Sequence, residues 1–498
     1  MFDVSDTVPE IRLRSLNEKP VRQEGDFVLY WMTAYRRPFY NFALQHALTQ
    51  AMELQRPLVI LEALRCDYPF ASERFHQFIL QGMADNSAYF ANSQVTYYPY
   101  AETALGAGKG LIEEMSAASC LIVADDFPAF FHPRMLQAAA KKVKVKLEAV
   151  DSNGLLPMRA AERDYPSAYA FRRFLQKNLP GHLFNFPQRE PLAAAEIPPL
   201  AQIPQAIRQR WPGATAELLA GGAEVLGRLP IVHNIKPAAE QGGWHQAESY
   251  LQRFLKDRLP HYLQRSAPEQ KVSSELSPFL HFGQISSHQI FEQLTEREGW
   301  SIGKLSPETR GQRSGWWGMS EATEAFIDQL ITWRELGFNA CTFLPGYDQY
   351  HSLPGWARET LETHREDPRP YLYSFEFFEQ ARTHDPLWNA AQNQLVREGR
   401  IHNYLRMLWG KKILEWSPDA ETALKTMLCL NDKYALDGRD PNSCSGIFWC
   451  LGRYDRAWGP ERPIYGKIRY MTSQNTARKF SVKNYLKTYG SAHPDIKA

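Results

Sequence analysis

The chain has 498 residues, of which 44 % are hydrophobic and 22 % are charged. This balance is typical of a globular protein with two or more domains and excludes a chain that is mostly disordered or of low complexity. The 57 lysines and arginines nearly balance 55 acidic residues, so the net charge of +2 alone indicates neither nucleic acid nor membrane as a partner.

Residues 1–183 alternate strand and helix patterns. Strands separated by helices predict parallel pairing through crossover connections. The run at 58–61 is apolar throughout, which predicts strands covered on both faces. We therefore expect a doubly wound, Rossmann-like α/β domain with a parallel sheet. Its predicted strands are 27–31, 58–61, 95–100, 120–124 and 143–150, with helices at 40–54 and 73–84.

Residues 184–243 are rich in proline and poor in periodic apolar positions, which predicts an interdomain linker. From residue 244 to residue 498, apolar residues recur at helical spacing. We expect an all-α domain of about 250 residues, long enough for its own core and a deep pocket. Its predicted helices include 244–255, 284–295, 321–338, 386–398, 401–415 and 419–430.

The sequence carries no obvious signal for secretion, membrane insertion or metal binding. The N-terminal segment has no apolar stretch flanked by positive charge, and apolar runs are far shorter than the roughly 20 residues that cross a bilayer. The six cysteines form no Cys-x-x-Cys pair, so we expect reduced core thiols rather than disulfides, a metal site or an iron–sulfur cluster. These features predict a cytoplasmic protein.

Two short motifs are best interpreted as structural. In the glycine-rich segment 106–110, Leu111 stands where a dinucleotide-binding loop needs its third glycine, so we expect a turn before a helix. His384 and Asp385 precede Pro386 without a further metal ligand at helical spacing, so we expect Asp385 to cap the next helix.

A serine-rich segment precedes Pro278 and a helical run. Ser273, Ser274 and Ser277 could present hydroxyls and free backbone N–H groups to a pyrophosphate at the start of a helix. An ordinary serine cap has the same pattern, so the segment alone does not decide between the two.

Three tryptophans are spaced to form a file. Trp409 and Trp416 are seven residues apart and share a face of one predicted helix, and Trp388 lies on the preceding helix. Indole is oxidisable, so such a file could carry an electron from the surface to a buried acceptor. Packing in a helical core has the same spacing.

Residues 451–487 combine nine basic residues with two acidic ones, and aromatic residues interleave with them. Positive charges for phosphates and rings for bases are typical of a DNA-contacting surface, although a solvated basic tail would have a similar composition. The aromatic residues are Tyr454, Trp458, Tyr465 and Tyr470.

Long, uncommon strings connect these features. They include HDPLWNAAQ (384–392), IHNYLRMLWGKKILEW (401–416), CLNDKYALDGRDPN (429–442), WCLGRYDRAWG (449–459) and GKIRYM (466–471). With these strings in this order, the chain resembles, along nearly its whole length, the class II cyclobutane pyrimidine dimer photolyases of the photolyase/cryptochrome superfamily. The resemblance implies an α/β N-terminal domain and an all-α FAD-binding domain. It also implies a monomeric lyase that repairs UV-damaged DNA in light.

The resemblance further implies how the cofactor is held. FAD, active in its fully reduced form FADH⁻, would lie in the helical domain and donate an electron to a flipped-out dimer. Asn431 would lie near flavin N5, and Arg406 and Asp437 would form an ion pair beside the flavin. An antenna pigment, either a deazaflavin or a folate, could also bind to the N-terminal domain. The other positions that match the cofactor site are Tyr262, Ser273, Ser274, Leu276, Ser277, Arg334 and Asn403.

The remaining implied roles concern the lesion and the relay. Trp333 and Trp449 match the walls against which the dimer stacks, and Met407 and Arg456 match positions that contact the lesion or DNA. Trp409, Trp388 and Trp416 match the electron relay, in that order outward from the flavin.

Two positions depart from the family pattern. Gln329, with Asp328 beside it, stands where the family usually has a glutamate that hydrogen-bonds the dimer, and an amide cannot supply a proton. Asn403 stands where class II enzymes often have a small residue. These departures leave two alternatives: a cryptochrome-like blue-light photoreceptor, and a photolyase of altered lesion preference.

Overall fold

The structure is a computed structural model and describes residues 7–193 and 195–490. A six-stranded sheet has the order β1–β6–β5–β2–β3–β4. Neighbouring strands are parallel except for the antiparallel pair β1–β6. The strands are β1 Leu13–Ser15, β2 Phe27–Met32, β3 Leu58–Leu64, β4 Thr96–Ala101, β5 Ser119–Asp125 and β6 Lys146–Val150.

From β2 the chain adds β3 and β4 on one side and then β5 and β6 on the other, which is the doubly wound order. Within β2, Phe27 to Tyr30 and Met32 are fully buried, so the sheet is covered on both faces, as predicted. Many helices accompany this mostly parallel sheet. The predicted fold class is confirmed.

The helices come in chain order as follows. The first eleven are α1 Phe42–Leu54, α2 Glu73–Phe90, α3 Leu111–Ala118, α4 His132–Lys142, α5 Ala168–Asn178, α6 Gln205–Arg210, α7 Ala216–Ala220, α8 Ala223–Gly227, α9 Trp244–Arg253, α10 Ser277–His281 and α11 Ser287–Arg297. The others are α12 Glu321–Ile327, α13 Arg334–Phe343, α14 Gly355–Thr363, α15 Phe375–Glu379, α16 Pro386–Glu398, α17 Asn403–Trp416, α18 Ala420–Tyr434, α19 Pro441–Cys450, α20 Ser473–Lys479 and α21 Lys483–Tyr489.

The described residues fall into two compact units. The first lies within Met1–Glu162, Lys177–Arg253 and Glu275–Leu305 and contains the sheet. The second lies within Arg163–Gln176, Phe254–Ser274 and Ser306–Ala498 and is helical. Each unit is assembled from separate stretches of chain, whereas the sequence predicts divisions after residues 183 and 243. Those domain boundaries remain a prediction.

The proline-rich segment packs onto the sheet of the first unit. Ile203, Ile207 and Trp211 are each at most 4 % exposed and belong to the same apolar core as β2 and β5. The indole N–H of Trp211 donates a 2.9 Å hydrogen bond to the carbonyl of Ala107. The segment thereby covers part of the sheet core and the glycine-rich turn that precedes α3.

The carboxyl ends of β2 and β5, where the strand order reverses, are closed by Asp125. Its Oδ2 accepts hydrogen bonds of 2.7–2.8 Å from the backbone N–H groups of Thr33, Ala34 and Tyr35, and its Oδ1 accepts one from Tyr30. Burial raises the pKa of this carboxyl, against the lowering effect of these donors. Ligands often bind at this point in doubly wound sheets, but here the chain's own carboxylate uses the backbone donors.

Both motifs that were interpreted as structural are so in the structure. Residues 106–110 form a turn in which Gly106 and Gly110 have φ of +73° and +93°, and α3 follows it. Asp385 caps α16 by accepting 3.0 Å hydrogen bonds from the N–H groups of Leu387 and Trp388.

No helix in the described part of the chain is long and apolar enough to cross a membrane. Within residues 7–193 and 195–490, no three His, Cys, Asp or Glu side chains are grouped so that they could hold a metal ion.

Candidate functional site

Helices α17, α18 and α19 of the second unit, with the turn between α18 and α19, bring four polar side chains into one hydrogen-bonded cluster. Arg406 donates one hydrogen bond from Nη2 to Oδ1 of Asp437 and another from Nη1 to Oγ of Ser443, and both donor–acceptor distances are 3.4 Å. Ser443 Oγ also lies 3.0 Å from Nδ2 and 3.3 Å from Oδ1 of Asn431. Three of these residues were predicted to bind the cofactor, and Ser443 joins them.

Asn431 is 2 % exposed and is held in one orientation by its neighbours. Its Nδ2 donates to Ser443 and, over 3.0 Å, to Oδ1 of Asp432, which uses both amide hydrogens. Asn431 can therefore offer a further partner only a lone pair of its carbonyl oxygen.

Arg406 leaves one donor of this cluster unused. Its Nε is buried and has no hydrogen-bond partner within the described residues, while its two other bonds are long. A buried donor without an acceptor costs about 1–3 kcal/mol. An additional acceptor bound beside the Arg406–Asp437 pair would remove that cost, so these residues fit a polar cofactor.

Other predicted cofactor residues have mixed environments. Tyr262 is 6 % exposed and packs edge-on against Phe254 and Phe326, and burial raises its pKa to about 12. Arg334 is 7 % exposed, with its guanidinium carbon 4.5 Å from the centroid of Phe338. Asn403, by contrast, is exposed at the first turn of α17.

The serine-rich segment divides between the two units. Ser273 and Ser274 belong to the second unit, and the carbonyl of Ser273 accepts a 2.9 Å hydrogen bond from Arg258. Leu276 and Ser277 belong to the first, where Leu276 is 1 % exposed and Ser277 begins the five-residue helix α10. The hydroxyls of Ser273 and Ser277 stand on exposed residues, which leaves them accessible to a ligand.

The three tryptophans lie in the second unit, where Trp388 contacts both of the others. The indole N–H of Trp388 donates a 3.0 Å hydrogen bond to the backbone carbonyl of Trp409. The rings of Trp388 and Trp416 have centroids 5.9 Å apart at 68°. The indole N–H of Trp409 is held by Oε1 of Gln392 over 2.9 Å. The contacts therefore run from Trp409 through Trp388 to Trp416, and the relay role of the three residues remains a prediction.

All three indoles are at most 2 % exposed, so the outer member does not itself reach solvent. The ring of Trp416 contacts Tyr373 and His384 edge-on, at 5.7 Å and 5.0 Å between centroids. His384 is exposed and stacks on Tyr371, which is 46 % exposed. The file therefore connects to the surface through a short group of rings.

The residues predicted to meet the lesion on the 321–338 segment lie on irregular backbone. Instead of one continuous helix, a π-helix at Asp328–Trp333 separates α12 from α13. This π-helix contains Gln329 and Trp333, both partly exposed. Short π segments inside α-helices often mark functional sites because they re-aim side chains. Helix α13 then passes so close to α19 that a Cβ on Gly337 would lie 2.8 Å from the backbone of Pro441.

The alternative that Asp328 replaces the family glutamate is not favoured by its contacts. Its carboxylate accepts hydrogen bonds of 2.8 and 3.2 Å from Nε and Nη2 of Arg172, whose side chain is 5 % exposed. The side chain of Gln329 makes no hydrogen bond within the described residues and is free to meet a ligand.

The second predicted wall, Trp449, is partly exposed near the end of α19 and lies among cations. Lys411 Nζ is 4.9 Å, and the guanidinium carbon of Arg469 is 5.7 Å, from its ring centroid. Arg469 also lies 4.6 Å from the ring of Trp458, which Arg456 covers at 4.5 Å. Cations and indoles thus alternate from the exposed Arg456 to the interior.

Part of the basic segment 451–487 is structural rather than surface. Tyr454 and Tyr465 are 8 % and 1 % exposed, and Arg453 is 3 % exposed. Arg453 donates a 2.9 Å hydrogen bond to the carbonyl of Tyr347 and packs on the ring of Phe448. Because they are buried, these three residues cannot present charge or rings to DNA. The sequence did not reveal this, since composition alone does not separate buried from exposed positions. Arg456 and Trp458 remain accessible, and Met407 is partly exposed on α17.

Three residues with notable contacts were not predicted from the sequence: Ser443, Gln392 and Lys411. Ser443 and Gln392 are ordinary polar residues on helices. Only the structure shows that Ser443 accepts a hydrogen bond from Arg406 and that Gln392 accepts one from Trp409. Lys411 carries a detectable signal, because a lysine between the apolar residues of a buried helix is rarely found without a partner.

No family model matches the chain. Three relatives named deoxyribodipyrimidine photo-lyase are similar over nearly its full length. The protein from Methanothermobacter thermautotrophicus is 32 % identical over 95 % of this chain and 97 % of its own, and that from Arabidopsis thaliana is 32 % identical over 95 % and 92 %. The protein from Potorous tridactylus is 31 % identical over 93 % and 81 %.

A class III photolyase from Agrobacterium tumefaciens, known from its crystal structure, has the same fold. It superposes with a TM-score of 0.62 over 93 % of this chain and 86 % of that chain, at 15 % identity. Identity of 31–32 % over 81–97 % of the three named relatives shows the family as well as the fold. The chain belongs to the deoxyribodipyrimidine photo-lyase family.

Proposed function

We propose that this enzyme uses light to split cyclobutane pyrimidine dimers in DNA, as a class II photolyase. The observation that carries the proposal is the polar cluster of Arg406, Asp437, Ser443 and Asn431, because α17 carries both Arg406 and the first tryptophan of the file. Arg406 and Trp409 are three residues apart and therefore neighbours on one helix face. A cofactor at the cluster would lie beside the predicted relay.

FAD is the cofactor that this site would hold. When bound and reduced, the flavin supplies one electron on excitation and takes it back after the dimer has split. The Arg406–Asp437 pair fixes a charge pair beside it, and the free Nε of Arg406 offers a hydrogen bond that no described residue uses. The remainder of the molecule would be held by residues of the same unit, namely Tyr262, Ser273, Ser274, Arg334 and Asn403.

Asn431 would select the reduced form of the cofactor. Both of its amide hydrogens are donated to Ser443 and Asp432, so the residue has no donor left and can interact with a cofactor only as an acceptor, through its oxygen. An acceptor at this position stabilises a flavin nitrogen that carries a proton, as N5 does in the reduced ring.

Trp409, Trp388 and Trp416 would deliver electrons that keep the cofactor reduced. The three indoles are buried, which excludes water from the file. The rings of Trp388 and Trp416 are in contact, and the indole N–H of Trp388 is bonded to the backbone carbonyl of Trp409. This path serves photoreduction of the cofactor and is not part of the splitting step.

The dimer must leave the helical stack of DNA to reach a buried cofactor, and a damaged pair costs less to extrude than an intact one. The partly exposed indoles of Trp333 and Trp449 would stack on the extruded dimer. Met407 and the free amide of Gln329 would contact it, while Arg456 would bind a backbone phosphate.

The proposed function is tested by illuminating the flavin-loaded, reduced protein with an oligonucleotide that holds one defined thymine dimer. We expect monomeric thymines to appear in light and none in darkness. Photoreduction of the flavin without dimer splitting would instead indicate a photoreceptor of the cryptochrome type. Repair of a different photoproduct alone would indicate an altered lesion preference.

A further inference from the structure

Lys411 is a fully buried cation that the proposed mechanism does not use. It lies on α17 with 0 % exposure, and Nζ donates a 2.7 Å hydrogen bond to the carbonyl of Cys450. Within the part of the chain that the structure describes, this is the only hydrogen bond of Nζ. Burying an ammonium group is costly unless other groups compensate its charge. The carbonyl dipole and the attraction of the Asp455 carboxylate compensate the charge only in part, since burial still lowers the pKa of Lys411.

The ring of Trp449 also lies against Lys411, with Nζ 4.9 Å from the ring centroid. Arg469 also lies near this indole, but it is exposed, so water and salt screen its charge. Lys411 is shielded from water and keeps a strong field across the ring. Any group that stacks on Trp449 is therefore subject to the field of a buried positive charge.

We propose that Lys411 is a positioning residue for repair that stabilises, through the indole of Trp449, the negative charge on a dimer stacked there. The inference rests on the proposed function and on the stacking role of Trp449. In that reaction the dimer receives one electron and stays negative until both cyclobutane bonds have broken. The electron then returns to its donor, so no net oxidation or reduction occurs. A cation near the dimer favours the charged interval and opposes premature return of the electron.

The charge of Lys411 depends on pH in an accessible range. Burial lowers its pKa to about 8, while Asp455 favours the charged form and Arg469 opposes it. Burial raises the pKa of Cys450 itself to about 11, so that thiol is neutral when Lys411 titrates. The cation is present at pH 7 and is lost as the pH rises through about 8.

The test is the number of dimers split per absorbed photon by flavin-loaded, reduced protein, measured from about pH 6.5 to about pH 9.5. The wild type should lose yield roughly several-fold as the pH rises, with a midpoint near the pKa of Lys411. Lys411→Met should have the low yield at every pH, and Lys411→Arg, which stays charged, the high yield. Lys433→Met removes a cation of the same unit that does not contact Trp449 and should behave as wild type.

A second readout needs no repair activity. The fluorescence of Trp449 is obtained as the difference between wild type and Trp449→Phe, and it should change with pH at the same midpoint. The corresponding difference between Lys411→Met and the double variant Lys411→Met, Trp449→Phe should not change with pH. If Lys411→Met does not fold, the comparison of wild type with Lys411→Arg across pH decides.

Equal yields for wild type and Lys411→Met at pH 7 would overturn the inference and leave the proposed function intact. A low yield for Lys411→Met with a flat wild-type pH profile would show a packing role and would also overturn it. A wild type that splits no dimers at any pH would overturn the proposed function and this inference together.

Discussion

The indole N–H of Trp388 on α16 donates a 3.0 Å hydrogen bond to the backbone carbonyl of Trp409 on α17. This bond joins two helices of the second unit at the point where the tryptophan file turns from one helix to the other. Trp388 then contacts Trp416 at 5.9 Å. Helical periodicity alone predicts that Trp409 and Trp416 share a face, and the structure places Trp388 as the bridge.

Replacing Trp388 by Phe should slow light-driven reduction of the flavin, because phenyl is much harder to oxidise than indole and the file loses its middle member. We expect a slowing of about tenfold or more, the effect of raising a barrier by roughly 1.4 kcal/mol or more. The measurement is the loss of oxidised-flavin absorbance under blue light with an external thiol. Trp316→Phe is the matched control, since Trp316 is buried in the same unit but outside the file. Equal rates for Trp388→Phe and wild type would exclude this path.

Arg406→Met should weaken flavin binding, because it removes the ion pair with Asp437 and the donor that awaits an acceptor. Loss of a hydrogen bond to a charged group costs about 1.5–3 kcal/mol, or roughly ten- to hundredfold in affinity. Flavin absorbance per protein after dialysis measures the effect. Retention of flavin equal to that of wild type would contradict the assignment of this cluster to the cofactor.

Gln329 and Asp328 should separate function from stability. Asp328→Asn leaves the guanidinium of Arg172 buried without its counter-ion, which should lower the free energy of unfolding by about 3–5 kcal/mol. Gln329→Glu should change stability by no more than about 0.5 kcal/mol, as partly exposed positions without partners usually do. It should raise the repair yield, because a carboxyl can supply a proton to a dimer carbonyl, whereas the amide can only donate a hydrogen bond. Denaturant unfolding and repair assays measure both variants. A larger loss of stability for Gln329→Glu than for Asp328→Asn, or a higher repair yield for Asp328→Asn than for Gln329→Glu, would contradict this division.

Trp449→Ala should weaken binding to dimer-containing DNA by about 1–3 kcal/mol, the range of base–aromatic stacking, and hardly change binding to undamaged DNA. Trp449→Phe keeps a ring and should retain much of the preference. Fluorescence anisotropy of labelled duplexes with and without one dimer measures both affinities. An equal loss on both duplexes would assign Trp449 to general DNA contact instead.

Arg456→Ala should weaken binding to all DNA and flatten its salt dependence, because an exposed guanidinium that binds a phosphate releases a counter-ion. The slope of log affinity against log salt should fall by about 1. Arg228→Ala, an exposed arginine of the first unit, is the control and should leave the slope unchanged. An unchanged slope for Arg456→Ala would remove this residue from the DNA surface.

The sequence predicts those elements that carry strong local signals. Helix α16 has its predicted bounds, Pro386–Glu398, because Asp385 caps its start, proline occupies its first turn and Gly399 ends it with φ of +67°. The five parallel strands were predicted from apolar runs. Strand β1 was missed, since it has three residues, is largely exposed and is defined only by pairing with β6.

The parts that the sequence could not predict depend on contacts between distant residues. The π-helix at Asp328–Trp333 interrupts a periodic pattern that predicts one helix over 321–338, because one extra residue per turn leaves the apolar spacing nearly intact. Tyr465 lies in the basic segment 451–487, where the sequence predicts exposed rings, yet it is buried and its hydroxyl donates a 2.9 Å hydrogen bond to the carbonyl of Lys411. Ser443 joins the polar cluster of Arg406, Asp437 and Asn431 only because α19 packs against α17.

The most direct test of the account is dimer splitting under illumination. The flavin-loaded, reduced protein is mixed with duplex DNA that holds one thymine dimer, and the products are separated after blue or near-UV light and after darkness. The account predicts intact thymines in the illuminated sample and an unchanged dimer in the dark one. A dimer that stays fused in light, with the flavin bound and reduced, would contradict it.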